Sequence, residues 1–254
     1  MNLLALSHWS GYAGSCARHA HTDIRMIRTF TPCLEILPAS QRQLWPALRP
    51  APRMGFVLYG RTAIALRLGH RASVDFDFFT DQPLNRAALS ESFPFLHWAT
   101  LLQDTPDTLT ALALPSTPND QHVKVSFFGT LSCGRVGEPE LSADGMLQVA
   151  ALDDVMATKL NVILQRIEAK DYQDIAAMIR AGISLSHGLA SARALYGPAF
   201  QPSESLKALV YFEGGDLHRL TDEERTLLIE AASSVHGLPT VQIRGSALAL
   251  SEVP

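Results

Sequence analysis

The stretch from Phe56 to Phe79 constrains the fold of this chain more than any other. Phe56 to Tyr59 is a short apolar run stopped by Gly60, and Thr62 to Leu68 then has the Ala, Ile and Leu content of a helix. Gly69 closes that helix. From Ser73 to Phe79 the residues alternate, which puts Val74, Phe76 and Phe78 on one strand face and Ser73, Asp75, Asp77 and Phe79 on the other. Strand, glycine turn, helix and strand in this order require a sheet with one apolar face and two carboxylates on the other.

The remaining text arranges itself around that unit. Ser40 to Leu48 reads as a capped short helix ended by Pro50 and Pro52, Leu84 to Phe93 as a helix, and Trp98 to Leu102 as a strand. Pro115 to Asp120 reads as a polar, proline-broken loop. Val123 to Phe128 is a further strand with Lys124 and Ser126 on one face, and Leu141 to Val149 is weakly extended. From Asp153 the chain turns helical to its end. Val155, Met156, Leu160, Ile163 and Ile167 draw one apolar stripe, with Asp153 or Asp154 as the natural cap. Further helices are expected at Gln173 to Ala181, around Leu185 to Leu195, at Ser203 to Phe212 and at Asp222 to Ser234. The spacing thus predicts an α/β sheet domain over residues 26–150, a helical domain over 151–254 and a disordered, dispensable extension over 1–25.

Composition excludes several classes. With 254 residues, 47% of them hydrophobic, the chain has ample material for a core. Its formal charge of −4 argues against a wholly basic nucleic-acid surface, although residues 1–53 carry six Arg against Asp23 and Glu35 and leave −8 for the rest. Cys16, Cys33 and Cys133 lack C-x-x-C spacing, so neither a disulfide framework nor a cysteine zinc site is written, and a reducing cytoplasm is the simpler setting. No apolar run approaches the roughly 18 residues of a membrane span. Met1 to Leu6 has no basic residues before it and is a poor secretory signal. The His19 and His21 pair is open to two readings, a metal site or part of the unpatterned extension.

Two acids at i and i+2 on a stiff strand lie about 7 Å apart at Cα, close enough to share a magnesium ion through hard oxygen ligands. A solvent-facing edge strand with two acids has the same spelling. Gly60, with Thr62 two residues later, sits where a strand hands over to a helix, so backbone N–H groups, the helix dipole and the Thr62 hydroxyl can meet a phosphate. In isolation that segment is also an ordinary glycine turn with Thr62 as helix cap. The joint pattern specifies a nucleoside triphosphate with bridging metal. A haloacid-dehalogenase-type phosphatase fits poorly because Phe79 stands at its fifth motif position, and a glycosyltransferase D-x-D leaves the Gly60 turn unexplained.

Leu58-Tyr-Gly-Arg-Thr-Ala-Ile-Ala-Leu66 followed by His70-Arg-Ala-Ser-Val-Asp-Phe-Asp-Phe-Phe79 resembles the signature of the AbiEii/AbiGii abortive-infection toxin nucleotidyltransferases. The resemblance continues through Val123 to Phe128, Leu152 to Asp154, Lys159, Arg166, Lys170 to Asp174 and, more loosely, Ala208 to Phe212, covering about residues 35–235. It implies a polymerase β-like nucleotidyltransferase mixed sheet with a helical C-terminal domain, and magnesium held by Asp75 and Asp77. It also implies transfer of a nucleotide from a triphosphate to an acceptor, RNA and specifically a tRNA 3′ end, in a type IV toxin-antitoxin or phage-defence system whose antitoxin forms no stable complex.

Two departures from the pattern matter. Arg61 stands where the family usually has its second Gly, so its side chain must either point away from the triphosphate or bind it. The strand expected to carry a third carboxylate offers Lys124 and Ser126 instead, which leaves solvent, Asp77 or Asp174 as the base, or a site without transferase activity. At about 100° per residue, Arg166 and Lys170 fall within about 20° of Lys159, beside the apolar stripe. They are expected to rim a cleft and meet triphosphate or RNA phosphates, the alternative being an edge of snorkelling side chains with Lys170 paired to Asp174. Arg71 is placed either on phosphate or as a cap for the helix that ends at Gly69. Two readings outside catalysis complete the set: a nucleotide- or RNA-binding member of the fold, and an interaction module with a structural D-x-D.

Overall fold

A computed structural model of the chain describes residues 27–114 and 121–250. The expectations for residues 1–25, for the His19 and His21 pair and for the Pro115 to Asp120 loop lie outside the described residues. In chain order the elements are β1 (Thr29–Phe30), α1 (Ala39–Leu44), β2 (Val57–Tyr59), α2 (Gly60–Leu68), β3 (Asp75–Phe79) and α3 (Arg86–Ser92). They continue with β4 (Thr100–Thr105), β5 (Thr108–Ala113), β6 (Val123–Phe128), β7 (Glu140–Ser142) and β8 (Gln148–Val149). Five helices complete the order: α4 (Leu152–Val162), α5 (Ala169–Arg180), α6 (Leu185–Tyr196), α7 (Pro202–Val210) and α8 (Asp222–Ser233).

The strands form one mixed sheet in the order β1-β7-β8-β2-β3-β6-β5-β4. β3 lies near its middle, antiparallel to β2 and parallel to β6. Its alternation is decisive: Phe76 and Phe78 are fully buried, and Phe78 stacks on Phe127 of β6 at 5.5 Å between ring centroids. On the opposite face Phe79 stacks on Tyr59 at 4.9 Å and closes one end of the carboxylate row. Helix α2 is buried through Thr62, Ala63, Ile64, Ala65 and Leu66, and it packs against both α4 and α5. Small residues at 63 and 65 allow a helix to be covered on several sides.

Several expectations are corrected. Val74 lies outside β3 and is 43% exposed, because the ladder starts only where Asp75 pairs with Lys124. The text from Leu141 to Val149 is two short strands, β7 and β8, rather than one. The helix expected over Ser40 to Leu48 is α-helical only to Leu44 and continues as a 3₁₀ turn over Trp45–Leu48 with Pro46 in its first turn. Neither Asp153 nor Asp154 caps α4: Ala151 is the N-cap, and Asp154 instead accepts hydrogen bonds from the backbone N–H groups of Val136 and Gly137, both at 2.8 Å.

The stripe through Ile167 is also broken. α4 ends at Val162 and Ile167 is exposed, because α5 starts afresh at Ala169, whose backbone N–H donates to Asp216 Oδ1 at 2.6 Å. A cap supplied by a residue 47 positions away is invisible to local periodicity.

Candidate active site

Asp75 and Asp77 stand on the β3 face opposite the aromatic core, with Lys124 and Ser126 of β6 in register beside them. Burial raises the Asp77 carboxyl above its ordinary value. Lys124 opposes the rise, neighbouring Asp75 adds to it, and Ser126 and Arg61 oppose it. Above this row the backbone passes at Gly60, where φ is +71° and a Cβ would lie 2.9 Å from Asp77 Oδ2. Only glycine meets both demands without strain. The first turn of α2 therefore starts against the carboxylates, and its N-cap Tyr59 makes no side-chain capping bond.

Arg61 does not point away. Its Nη2 donates to Asp75 Oδ2 at 2.8 Å, with both side chains largely sheltered. The Thr62 hydroxyl, expected as a phosphate donor, is turned inward: it is 2% exposed, shares a hydrogen bond of 2.7 Å with Ser73 and donates to the Asp75 carbonyl. Thr62 thus fixes the start of β3, and its hydroxyl is not turned toward the carboxylate row.

The helical half contributes a network rather than an open rim. Lys159 is buried and ion-paired to Asp171 Oδ1 at 2.6 Å and Asp174 Oδ2 at 2.8 Å rather than standing on an open rim. Asp174 Oδ1 also takes His70 Nε2 at 3.0 Å and Arg71 Nε and Nη2 at 2.9 and 2.7 Å. Burial would push the Asp174 carboxyl up, yet the His70 hydrogen bond, Lys159 and Arg71 hold it below its ordinary value. A carboxylate ion-paired through both oxygens and held acidic is a poor general base. Arg71 accordingly does not cap α2, and its guanidinium is turned to Asp174.

Arg166 and Lys170 are placed differently from Lys159, because the single helix that would align all three does not exist. Arg166 leaves the α4–α5 connection, grips Asp171 through Nε at 2.8 Å and Nη2 at 3.1 Å, and lies near enough to Asp77 to interact with it electrostatically. Lys170 pairs with Glu168 at 2.7 Å rather than with Asp174. The structure therefore brings Gly60, Arg61, Asp75, Asp77, Lys124 and the Arg166 charge toward one place, and leaves Lys159, Asp174 and Arg71 in the support behind it. Among the described residues no three His, Cys, Asp or Glu side chains form a metal-binding group.

A family model described as "Nucleotidyl transferase AbiEii toxin, Type IV TA system" matches residues 44–229, which include the whole of this site. The chain belongs to the AbiEii nucleotidyltransferase toxin family. An uncharacterized protein of Aquifex aeolicus (strain VF5), aq_aa25, is 32% identical over 165 residues, covering 62% of this chain and 74% of that relative. MenT4, the nucleotidyltransferase toxin Rv2826c from Mycobacterium tuberculosis H37Rv, superposes with a TM-score of 0.48 at 13% identity over 76% of this chain and 91% of that one.

Sequence reasoning gave the partners of neither Asp171 nor His70 in this AbiEii member. Asp171 joins Lys159 to Arg166, and its signal was present in the Asp171-Tyr-Gln-Asp174 spacing, which puts both acids on one helix face. His70 carries the sheet half onto Asp174, and no local pattern marks a contact across 104 positions.

Proposed function

We propose that this AbiEii chain transfers a nucleotide from a nucleoside triphosphate to an RNA acceptor, a tRNA 3′ end, with magnesium as cofactor. The setting we propose is a toxin-antitoxin or phage-defence system in the cytoplasm, with an antitoxin that acts without a stable complex. The observation that carries the reading is the Asp75 and Asp77 pair directly beneath the Gly60 turn. Two carboxylates on one rigid face match what magnesium takes from a protein when phosphate oxygens and water complete its shell. The missing Cβ at Gly60 leaves the approach to Asp77 open. When bound, the metal would neutralise charge on the transferring phosphoryl group.

The chain's own residues do the rest. Asp75 and Asp77 hold the cation, the α2 N-terminus presents backbone N–H groups to the β and γ phosphates, and Arg61, Lys124 and Arg166 are the cations beside the carboxylates for phosphate oxygens, with Lys170, paired to Glu168, proposed for the acceptor's phosphates. Ser126 stands in register with Asp77 where a third acid would sit, and Asp174 is ion-paired through both oxygens, so the acceptor proton is left to Asp77 or solvent. The Arg61–Asp75 ion pair together with Ser126 favours one second reading, a member that binds nucleotide or RNA without transfer.

Labelled nucleoside triphosphates screened against total tRNA with magnesium separate the two. Wild type is expected to incorporate label, and Asp75→Asn or Asp77→Asn to lose on the order of a hundredfold or more of the rate while keeping the wild-type melting temperature. Equal transfer by the variants would exclude this site. Nucleotide binding without transfer by wild type would establish the second reading.

A further inference from the structure

The Arg61 guanidinium is bound to Asp75, one of the two carboxylates proposed to hold the cation. Its Nη2 is 2.8 Å from Asp75 Oδ2, and the pair is partly shielded, the side chains being 21% and 15% exposed. The Arg61 backbone is anchored next door, because Thr62 is held by its bonds to Ser73 and the Asp75 carbonyl. Lys124, in register with Asp75 on β6, acts on Asp77 as a second positive charge. Two carboxylates therefore face two cationic side chains, and the site is compensated before any metal arrives.

That balance has a consequence for what can enter. A bare divalent cation adds charge to a site already neutral and has to displace Arg61 from a charge-assisted hydrogen bond, leaving the guanidinium unpaired. The metal chelate of a nucleoside triphosphate carries net negative charge, and its phosphate oxygens offer Arg61 and Lys124 new partners in the bidentate geometry that guanidinium favours. We propose that Arg61 is a built-in counter-ion for Asp75, a positioning residue that hands the carboxylate over only when metal and triphosphate arrive together. Metal and nucleotide binding are then positively coupled through one side chain, and the coupling is reciprocal. The inference rests on the nucleotidyl-transfer reading of the site, and it makes Arg61 a determinant of binding order rather than a sign of lost activity.

The test is Mn2+ binding followed by electron paramagnetic resonance, with Mn2+ alone and with Mn2+ plus a non-hydrolysable triphosphate analogue. Arg61→Ala is expected to bind Mn2+ alone about five- to tenfold more tightly than wild type, the scale of one partly exposed charge-assisted hydrogen bond. The same variant is expected to bind the Mn2+–analogue complex no better than wild type, so the coupling collapses. Arg61→Lys, which keeps the charge, should restore most of the wild-type discrimination.

If Arg61→Ala binds bare Mn2+ no more tightly than wild type, while wild type binds the complex and Asp77→Asn does not, the counter-ion role is overturned and the nucleotide site stands. If wild type shows no Mn2+–analogue binding that Asp77→Asn removes, both readings fall. A variant that loses affinity for metal alone and for the complex together, with a lowered melting temperature, would make Arg61 a structural residue and overturn the inference as well.

Discussion

At the scale of single residues, Lys159 separates support from chemistry. It lies buried between Asp171 and Asp174, and among the described residues no other cation reaches both carboxylates. For Asp171, burial pushes the carboxyl up, but the Arg166 hydrogen bond and Lys159 carry it below its ordinary value, as His70, Lys159 and Arg71 do for Asp174. Acids held low in the fold contribute stability above their unfolded value, about pH 4, and lose it as pH falls through the lower folded value. Lys159→Met removes the shared cation and leaves buried negative charge. It is expected to cost about 3–5 kcal/mol at neutral pH in urea unfolding, with the gap to wild type shrinking below about pH 4 as both carboxylates protonate. A gap that stayed constant with pH would show that packing, not charge, sets the loss.

At the scale of elements, the helical half is organised by how closely α6 approaches α4. Gly188 of α6 sits where a Cβ would be 2.4 Å from Met156 Cγ and 3.2 Å from Leu160 Cδ1. Alanine is the better helix former by about 1 kcal/mol, which would favour Gly188→Ala on propensity alone. The crossing leaves no room for the methyl group, so overpacking of about 1–3 kcal/mol should outweigh that gain and the variant should melt lower. A higher melting temperature would mean that α4 has space to move. The same crossing holds Lys159 and Asp154 in place, since both belong to α4 and both serve contacts beyond it. Burial raises the Asp154 carboxyl to about 6 even though two backbone N–H groups bind it.

At the scale of the whole molecule, the sheet and the helices share one buried cluster, from Leu37 through Phe78 and Met156 to Leu228 and Leu248. Unfolding is therefore expected as a single transition. The three tryptophans, Trp9, Trp45 and Trp98, all precede the helical half, so their fluorescence and helical circular dichroism report different parts of the chain. Coincident urea midpoints are the expected result, and separated midpoints would show two folding units. Among the described residues no helix is long and apolar enough to cross a membrane.

What could be read from the sequence follows the range of the forces involved. The β3 alternation, the Gly60 turn, the helix from Thr62 to Leu68 and the Asp75 and Asp77 pair are local: side-chain period and backbone φ decide them within a few residues. So were α6, α7 and α8, each with its own start signal in Ser184, Pro202 or Thr221. The break between α4 and α5, the inward turn of Thr62 and the partners of Lys159, Asp174 and Lys170 were decided by tertiary structure. Each depends on a cap, a carbonyl or a counter-charge that packing delivers, and a side chain with several eligible partners is assigned only when the fold sets the distances. Local text determined which carboxylates face outward from the sheet. Only the assembled fold decided which cation stands against them.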